Sequence, residues 1–505
     1  MKRYIQTIAL IAIFVGYTWE GVAQSPCFPG EPLTGTFADP ATSSSPNADR
    51  VFWLTWGSNY NESISRHPYG KPNVQLRVGS KSYGSIDLGG GRYMCVEAEI
   101  TRLDVSGSLT SRKKIVSYIP GTYQGSSEKG DFLDILYNRG GYGGTNGSPN
   151  NKMASGIIND YDQGRKVNIV VRVKATTDGE PVRLRGMVLA DAEDLSSNEY
   201  IISSGDGDWT VAGVHKDIGK GSYNMRKENN QSGTKSILFE KGNDGKTGAV
   251  AFLKYNNSAY DTKANGYAVE FSAEFEGGGK TAIAFGLLTS GYDFGDAPES
   301  YGKPIHLIDD ITFGNDGVQE NGPAVNINTS SYTPGLLISG TRRYLGSTPP
   351  DADHINNFSD DALGDDISGP AGLNEEDAWP IEYRRFADQD FYKPGDKITA
   401  TIPYKQATAG DKISGWIDFD LNGTFDESER VTKTIATNGD GNVVLEWTVP
   451  ATRTPYSTYV RLRYFGSVED ATRTTGTALT GEVEDHRIYI LSPGVANPNL
   501  MNKSK

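Results

Sequence analysis

The stretch Val269-Glu270-Phe271-Ser272-Ala273-Glu274-Phe275-Glu276 alternates apolar and polar residues without a break. A period of two sends successive side chains to opposite faces of an extended chain, so the segment reads as a strand with one buried and one wet face. Working outward, strand signals recur from Val51 to Leu288, as in Val51-Phe52-Trp53-Leu54, Phe132-Leu133-Asp134-Ile135-Leu136, Val167-Asn168-Ile169-Val170-Val171 and Ala249-Val250-Ala251-Phe252-Leu253. The last is unbroken and apolar, the mark of a strand buried on both faces. No segment of helical length carries apolar residues at i, i+3, i+4 and i+7. Gly-, Asn- and Ser-rich connections such as 140–151 lie between the strands. This is the pattern of an antiparallel β-sandwich or jelly roll.

A second all-β region follows. Its clearest strand alternates Val460, Leu462 and Tyr464 with Tyr459, Arg461 and Arg463, and further strands are expected at 398–402, 443–449 and 487–491. Between the two regions, residues 291–345 are poor in apolar runs apart from 305–311 and rich in Gly, Pro and Asn. The fold expected is therefore all-β: two antiparallel β-sandwich or jelly-roll domains, 24–290 and 346–492, joined by a Gly/Pro-rich connector at 291–345, with a loose tail at 493–505.

The chain has 505 residues and a formal charge of −14, with 63 acidic residues and five His. An acidic surface argues against a nucleic-acid partner and against docking on anionic lipid. It also points any metal chemistry toward oxygen ligands and hard cations such as calcium. The N-terminus opens Met1-Lys2-Arg3, runs through the apolar stretch 8–15 and offers Gly21-Val22-Ala23 for cleavage before Gln24. Residues 1–23 therefore read as a signal peptide, since the run is shorter than the ~20 residues that span a bilayer. No second run of spanning length follows, so no transmembrane segment is expected after cleavage, and the location expected is secreted or cell-surface. In an oxidising compartment Cys27 and Cys95 are most simply one disulfide, contributing ~4 kcal/mol in the chain-entropy treatment. Lipidation of Cys27 is the alternative, but Gln24-Ser25-Pro26 lacks the small apolar context that it requires.

The sharpest chemical signal is Asp418-Phe419-Asp420-Leu421-Asn422-Gly423-Thr424-Phe425-Asp426-Glu427-Ser428-Glu429. Asp418, Asp420 and Asn422 stand at positions 1, 3 and 5, Gly423 at 6, and Glu429 at 12. The Thr424 carbonyl can serve at 7, and Asp426 at 9. Calcium takes six to eight oxygens, and glycine permits the sharp turn that points them inward. Trp416-Ile417 ahead of the loop reads as a strand, so a calcium loop between strands is expected rather than a helix-loop-helix switch. The alternative is a solvated acidic hairpin, in which the crowded carboxylates would repel one another. A second acidic cluster, Asp360, Asp361, Asp365, Asp366, Glu376 and Asp377, has Gly364 and Gly372 for turns and offers either a further calcium site or a wet surface.

Gly481-Glu482-Val483-Glu484-Asp485 followed by a terminal strand resembles the signature of the GEVED domain of bacterial surface proteins. Gly291-Tyr292-Asp293-Phe294-Gly295-Asp296-Ala297-Pro298-Glu299-Ser300-Tyr301-Gly302 is similar to the segment that often precedes it. The strings at 344–346, 351–353, 364–366, 375–377 and 416–420 resemble the same family's acidic stretch and central loop. His486 departs from its usual Tyr, and Ala378 from its usual Gly. In the first half, Val51-Phe52-Trp53-Leu54-Thr55-Trp56, Ala190-Asp191-Ala192-Glu193, Asn198-Glu199 and Asp208-Trp209 resemble the non-repetitive ligand-binding domain of CshA-type fibrillar adhesins. That resemblance implies a lectin-like sandwich engaging host glycoprotein or another surface.

No His-Glu-x-x-His, Gly-x-Ser-x-Gly or paired-cysteine motif is present. A glycosidase needs only two carboxylates, which Asp191, Glu193 and Glu199 could supply, and Trp53, Trp56 and Trp209 could stack on a sugar or fill a core. The expectation is a non-enzymatic adhesin that binds an extracellular glycan or a matrix or surface protein and carries Ca2+ as its cofactor. A secreted carbohydrate-active hydrolase and a purely structural matrix or surface-layer component are the alternatives.

Overall fold

The computed structural model describes residues 26–29, 35–57, 70, 72–88, 92–106, 114–120, 132–140, 153–160, 164–193, 195, 199–229, 234–241, 247–277, 280–308, 311–337, 341–350, 358–364, 375–380, 394–451 and 457–490. The expected signal peptide, Asn198, Asp365, Asp366 and the tail lie outside them.

In chain order the first part contains β1 (Thr36–Phe37), β2 (Val51–Trp53), β3 (Lys81–Asp87), β4 (Tyr93–Val105), β5 (Ile115–Tyr118), β6 (Gly156–Asn159), β7 (Arg165–Thr177) and β8 (Glu180–Val182). It continues with β9 (Gly186–Asp191), β10 (Tyr200–Gly205), β11 (Gly207–His215), β12 (Tyr223–Asn229), β13 (Lys235–Lys241), β14 (Gly248–Tyr255), β15 (Val269–Gly277) and β16 (Thr281–Leu288). One sheet of eight strands runs β1-β2-β16-β9-β14-β11 with β6 and β5 beside β16. The other, of nine, runs from β12 through β13, β10, β15, β7 and β4 to β3, with β8 against β7 and a late strand (below) outside β12. The inward residues of both sheets form one core. Val269, Phe271, Ala273 and Phe275 of β15 are buried there, while Glu270 is exposed and Ser272, Glu274 and Glu276 are partly so. In the eight-stranded sheet every residue of β16 is buried, because Leu133, Leu136, Tyr137 and Ile311 cover its outer face in a second cluster. The unbroken apolar run at 249–253 has the same cause.

Phe132 to Leu136 is not a strand. Leu133–Leu136 forms one turn of α-helix, α1, preceded by Phe132 at φ 61° and closed by the Tyr137 N–H donating to the Leu133 carbonyl at 2.8 Å. A five-residue stretch with four apolar residues around one Asp is equally compatible with a strand and with a buried helical turn, and here tertiary packing decided. Cys27 and Cys95 form a disulfide across a sequence separation of 68, which fastens the segment around Cys27 to β4.

The second part contains β17 (Tyr292–Phe294), β18 (Pro304–Leu307), β19 (Val325–Asn326), β20 (Tyr344–Leu345), β21 (Lys397–Ala407), β22 (Lys412–Ile417), β23 (Arg430–Thr434), β24 (Gly439–Thr448), β25 (Ser457–Phe465), β26 (Gly476–Ala478) and β27 (Val483–Tyr489). A sheet β20-β21-β24 faces a sheet β23-β22-β25-β27 across a core that includes Trp379, Trp447, Leu462 and Tyr464. The terminal strand begins earlier than the apolar run at 487–491 suggested, at Val483, and so contains part of the Gly-Glu-Val-Glu-Asp string.

Residues 291–345 are not a free connector. β17 pairs with β18, and β18 runs parallel to β26, the one parallel pair among the described strands. Farther on, β19 adds itself to β12 at the edge of the nine-stranded sheet. Asp316 meets Lys227 at 2.7 Å, with side chains only 3% and 10% exposed, and the Gly335 N–H donates to the Val211 carbonyl at 2.8 Å. The Asn328 side chain accepts from the Asp217 N–H and donates to the Asp217 and Gly221 carbonyls. The first unit thus also includes residues 311–337. A chain ended at residue 290 should unfold at lower denaturant concentration than one ended at 340, losing at least about 1 kcal/mol for the missing hydrogen bonds. Equal midpoints in equilibrium denaturation would refute this boundary.

Candidate metal centre

The twelve residues Asp418–Glu429 join two paired strands, with Trp416 of β22 opposite Arg430 of β23. Leu421 at φ 58° and Gly423 at φ 79° turn the chain back on itself. Gly423 tolerates this conformation because it lacks a Cβ. The turn brings one oxygen each of Asp418, Asp420 and Glu429 within 4.8 Å of one another. Two oxygens on opposite sides of a calcium ion lie ~4.6–5.2 Å apart, so the spacing and the all-oxygen donor set fit that ion.

Asp418 is fully buried. Its Oδ1 accepts from the Leu421 N–H at 2.6 Å, and its Oδ2 accepts from the Gly423 N–H at 3.1 Å and the Tyr301 hydroxyl at 2.7 Å. Glu429 accepts from the Phe419 and Asp426 N–H groups at 2.7 and 3.0 Å. Burial pushes its carboxyl up to about 7; the two backbone donors oppose the rise, and the Asp418 and Asp420 charges add to it. Asp420, Asn422 and Asp426 are exposed, and the Asn422 amide donates to Asp426 at 2.8 Å and to Asp420 at 3.4 Å. The Thr424 hydroxyl donates to Asn422 Oδ1 at 2.6 Å. Three of the four expected carboxylate ligands therefore converge, and Asn422, Thr424 and Asp426 lie on the exposed side of the turn.

Behind the loop lies a layer of buried charge. Arg461 and Arg463 are 0% and 1% exposed. Arg461 grips both oxygens of Asp485 at 2.7 Å and donates to the Tyr301 and Thr474 carbonyls. Asp485 also accepts from the Ala297 N–H at 2.9 Å. Arg463 donates to the Arg473, Thr475 and Gly476 carbonyls and to His306 Nε2 at 2.9 Å. The neutral His306 donates through Nδ1 to the Thr480 carbonyl, and burial, with Arg463 beside it, holds its pKa well below the usual range. Asp293 accepts from the Val483 N–H at 2.7 Å, and Asp296 from the Gly364 N–H at 2.6 Å. The strings around 291–302 and 481–485 are consequently the two sides of one buried lock. Glu482 accepts from the Leu345 N–H and Glu484 from the Ala378 N–H. Burial pushes the Glu482 carboxyl well up, with Glu484 and Asp293 adding to the rise. Sequence reasoning had no role for Tyr301, Arg461 or Arg463. The available signal was two arginines on one strand with no acidic alternation beside them.

The expected second cluster does not gather as a unit among the described residues. Asp377 accepts from the N–H groups of Ser347 and Thr348 and from both hydroxyls. Asp360 contributes its carbonyl to the Tyr459 hydroxyl, and Asp361 is exposed. Glu376 instead lies with Glu484 and His486, whose Nε2 is 3.7 and 3.0 Å from them. Of the candidates for a glycosidase pair, Asp191 is 1% exposed and accepts from the Tyr223 hydroxyl at 2.8 Å. Trp53, Trp56 and Trp209 are buried core residues and present no face to a sugar.

With the fold and the loop in place, comparison with known proteins finds two partial likenesses. Residues 49–288 match the family described as surface adhesin CshA non-repetitive domain 2, and residues 412–489 match the GEVED domain. The chain is thus an all-β protein whose first part is similar to a surface-adhesin domain and whose last part is similar to the GEVED domain. Among solved structures, the N-terminal domain of the Streptococcus gordonii adhesin Sgo0707 is 7% identical, with a TM-score of 0.28 over 91% of this chain and 99% of that chain, a likeness too low to carry an argument. No curated protein matches. No helix among the described residues is long and apolar enough to cross a membrane.

Proposed function

We propose that the protein is a secreted or cell-surface adhesin whose first sandwich recognises an extracellular glycan or matrix protein and whose GEVED unit is a calcium-stabilised spacer. The match of residues 49–288 to a surface-adhesin domain carries this reading. The converging Asp418, Asp420 and Glu429 support the calcium part, because a hard cation would offset their mutual repulsion. In the spacer Asp418 and Glu429 are positioned by backbone donors and by Tyr301, so their orientation is set before any ion enters. Calcium would supply charge neutralisation there and no redox or acid–base chemistry. The proposal assigns no catalysis, and the burial and hydrogen bonding of Asp191 disfavour the hydrolase alternative. A glycan and matrix-protein array run beside a broad hydrolase screen tests the reading. Saturable binding without turnover is expected, and turnover abolished by one carboxylate substitution would replace adhesin by enzyme.

A further inference from the structure

Two contiguous cavities, of about 260 and 290 Å³, lie where the first sandwich faces the Gly466–Leu479 region of the GEVED unit. Both are lined by Arg183, Val468, Glu469 and Leu479. Together they fall in the ~300–1,000 Å³ range of small-ligand sites. Their charge runs against that of the chain. The protein carries −14 overall, yet the first cavity adds Arg473 and Lys263, the latter paired with Glu180 at 3.0 Å, and the second adds Arg185, Lys254 and Arg343. The acids in the lining are turned to their own backbone. Glu469 accepts from the Gly466 and Leu479 N–H groups at 2.8 and 2.5 Å, and Asp470 from the Thr472 N–H and hydroxyl at 3.1 and 2.6 Å.

Arg183 is the centre of this arrangement. Its guanidinium carbon lies 4.8 Å from the ring centroids of both Tyr260 and Tyr267. Ring contact of this kind immobilises the planar group without consuming its N–H donors. Among the described residues Arg183 has no carboxylate partner, and its one hydrogen bond there is a long one, 3.4 Å, to Asn257 Oδ1. Arg473 likewise donates to the Thr477 carbonyl at 3.4 Å and forms no ion pair among the described residues. A pre-oriented arginine fork beside a second arginine is suited to a carboxylate or sulfate, which accept two parallel N–H bonds. The amides of Asn256 and Asn257 and the Tyr rings add hydroxyl partners and flat apolar surface of the kind sugars use.

We infer that this cleft between the two units binds an acidic saccharide, its carboxylate or sulfate seated on Arg183 and Arg473. The inference rests on the adhesin reading and names a ligand class and site for it. Because the lining comes from both sandwiches, the bound saccharide would also brace one unit against the other.

The test is calorimetric titration of the full chain with 3′-sialyllactose, a sulfated heparin-derived disaccharide, neutral lactose and a hexaglutamate peptide, at low and at high salt. One or both acidic saccharides should bind, at least tenfold more tightly than lactose, and weaken at high salt. Arg183→Gln should reduce that binding at least tenfold. Arg473→Gln should do the same from the other unit, and so serves if the first variant melts early. Lys433→Gln, outside the lining, should change nothing. Which of the two saccharides binds distinguishes carboxylate from sulfate. Absence of binding by both, binding indifferent to Arg183→Gln and Arg473→Gln, or hexaglutamate binding as tightly as the saccharides would each overturn the inference. Adhesion of the two variants to the array surfaces is measured in parallel. Array binding that survives while saccharide binding is absent rejects the cleft and leaves the adhesin reading standing, whereas loss of array binding by the unaltered protein rejects both.

Discussion

Replacing Arg461 by alanine should lower the unfolding free energy by about 3–5 kcal/mol, the largest effect expected of any single substitution in the second unit. Arg461 and Asp485 are both 0% exposed and joined by two 2.7 Å bonds. Removing the cation leaves the Asp485 carboxylate buried with the Ala297 N–H as its remaining described donor, and frees the Tyr301 and Thr474 carbonyls as well. Most of the loss is the cost of that stranded charge, not the net worth of the pair. The double variant Arg461→Met with Asp485→Leu should therefore recover much of it, since apolar replacements of buried pairs are often neutral or stabilising. Equilibrium denaturation of the full chain measures both. A single variant that costs under about 1 kcal/mol would mean that the contact between residues 291–302 and 481–485 does not hold the unit together.

Calcium should raise the melting temperature of the full chain by about 5–10 °C at a hundred times the dissociation constant. The linkage is ~2.7 kcal/mol at that ratio, and a kilocalorie moves a unit of this size by ~2–4 °C. Extracellular calcium modules bind at ~10⁻⁴–10⁻³ M, so the increment should develop over the millimolar range and vanish with chelator. Asp420→Ala is the informative variant. Asp420 is exposed, so its removal leaves the buried framework in place, whereas Asp418 also accepts from Tyr301 and two backbone donors. The variant should melt where the chelated protein melts and ignore added calcium. A calcium response that persists in Asp420→Ala, or none in the unaltered chain, would remove the ion from this loop and leave an acidic hairpin.

The turn was legible because it is local: its carboxylates sit within twelve residues, so the approach of Asp418, Asp420 and Glu429 needs no remote segment. The second acidic cluster was not legible in the same way. Glu376 is drawn to Glu484 and His486, more than a hundred positions away, while its neighbour Asp377 is taken by Ser347 and Thr348. Two adjacent acids point to different partners, and nothing in their own composition states which. The cation-lined cleft was equally hidden, because Arg183 and Arg473 meet only when two sandwiches pack.

By itself the sequence determined the class of architecture, the position of β15 and its buried face, the two-faced burial of the run at 249–253, the pairing of the two cysteines and the carboxylates of the Asp418–Glu429 turn. These rest on period, neighbour identity and short range. Only the tertiary structure decided that Phe132–Leu136 coils, that residues 311–337 are part of the first sandwich, and that Arg461 and Arg463 lie inside. Alternation along β25 tells which side chains share a face, but not whether that face meets water. That depends on other segments, β27, β18 and the turn before β26, which bring the Asp485 carboxylate, the His306 imidazole and the carbonyls that make burying two guanidinium groups affordable.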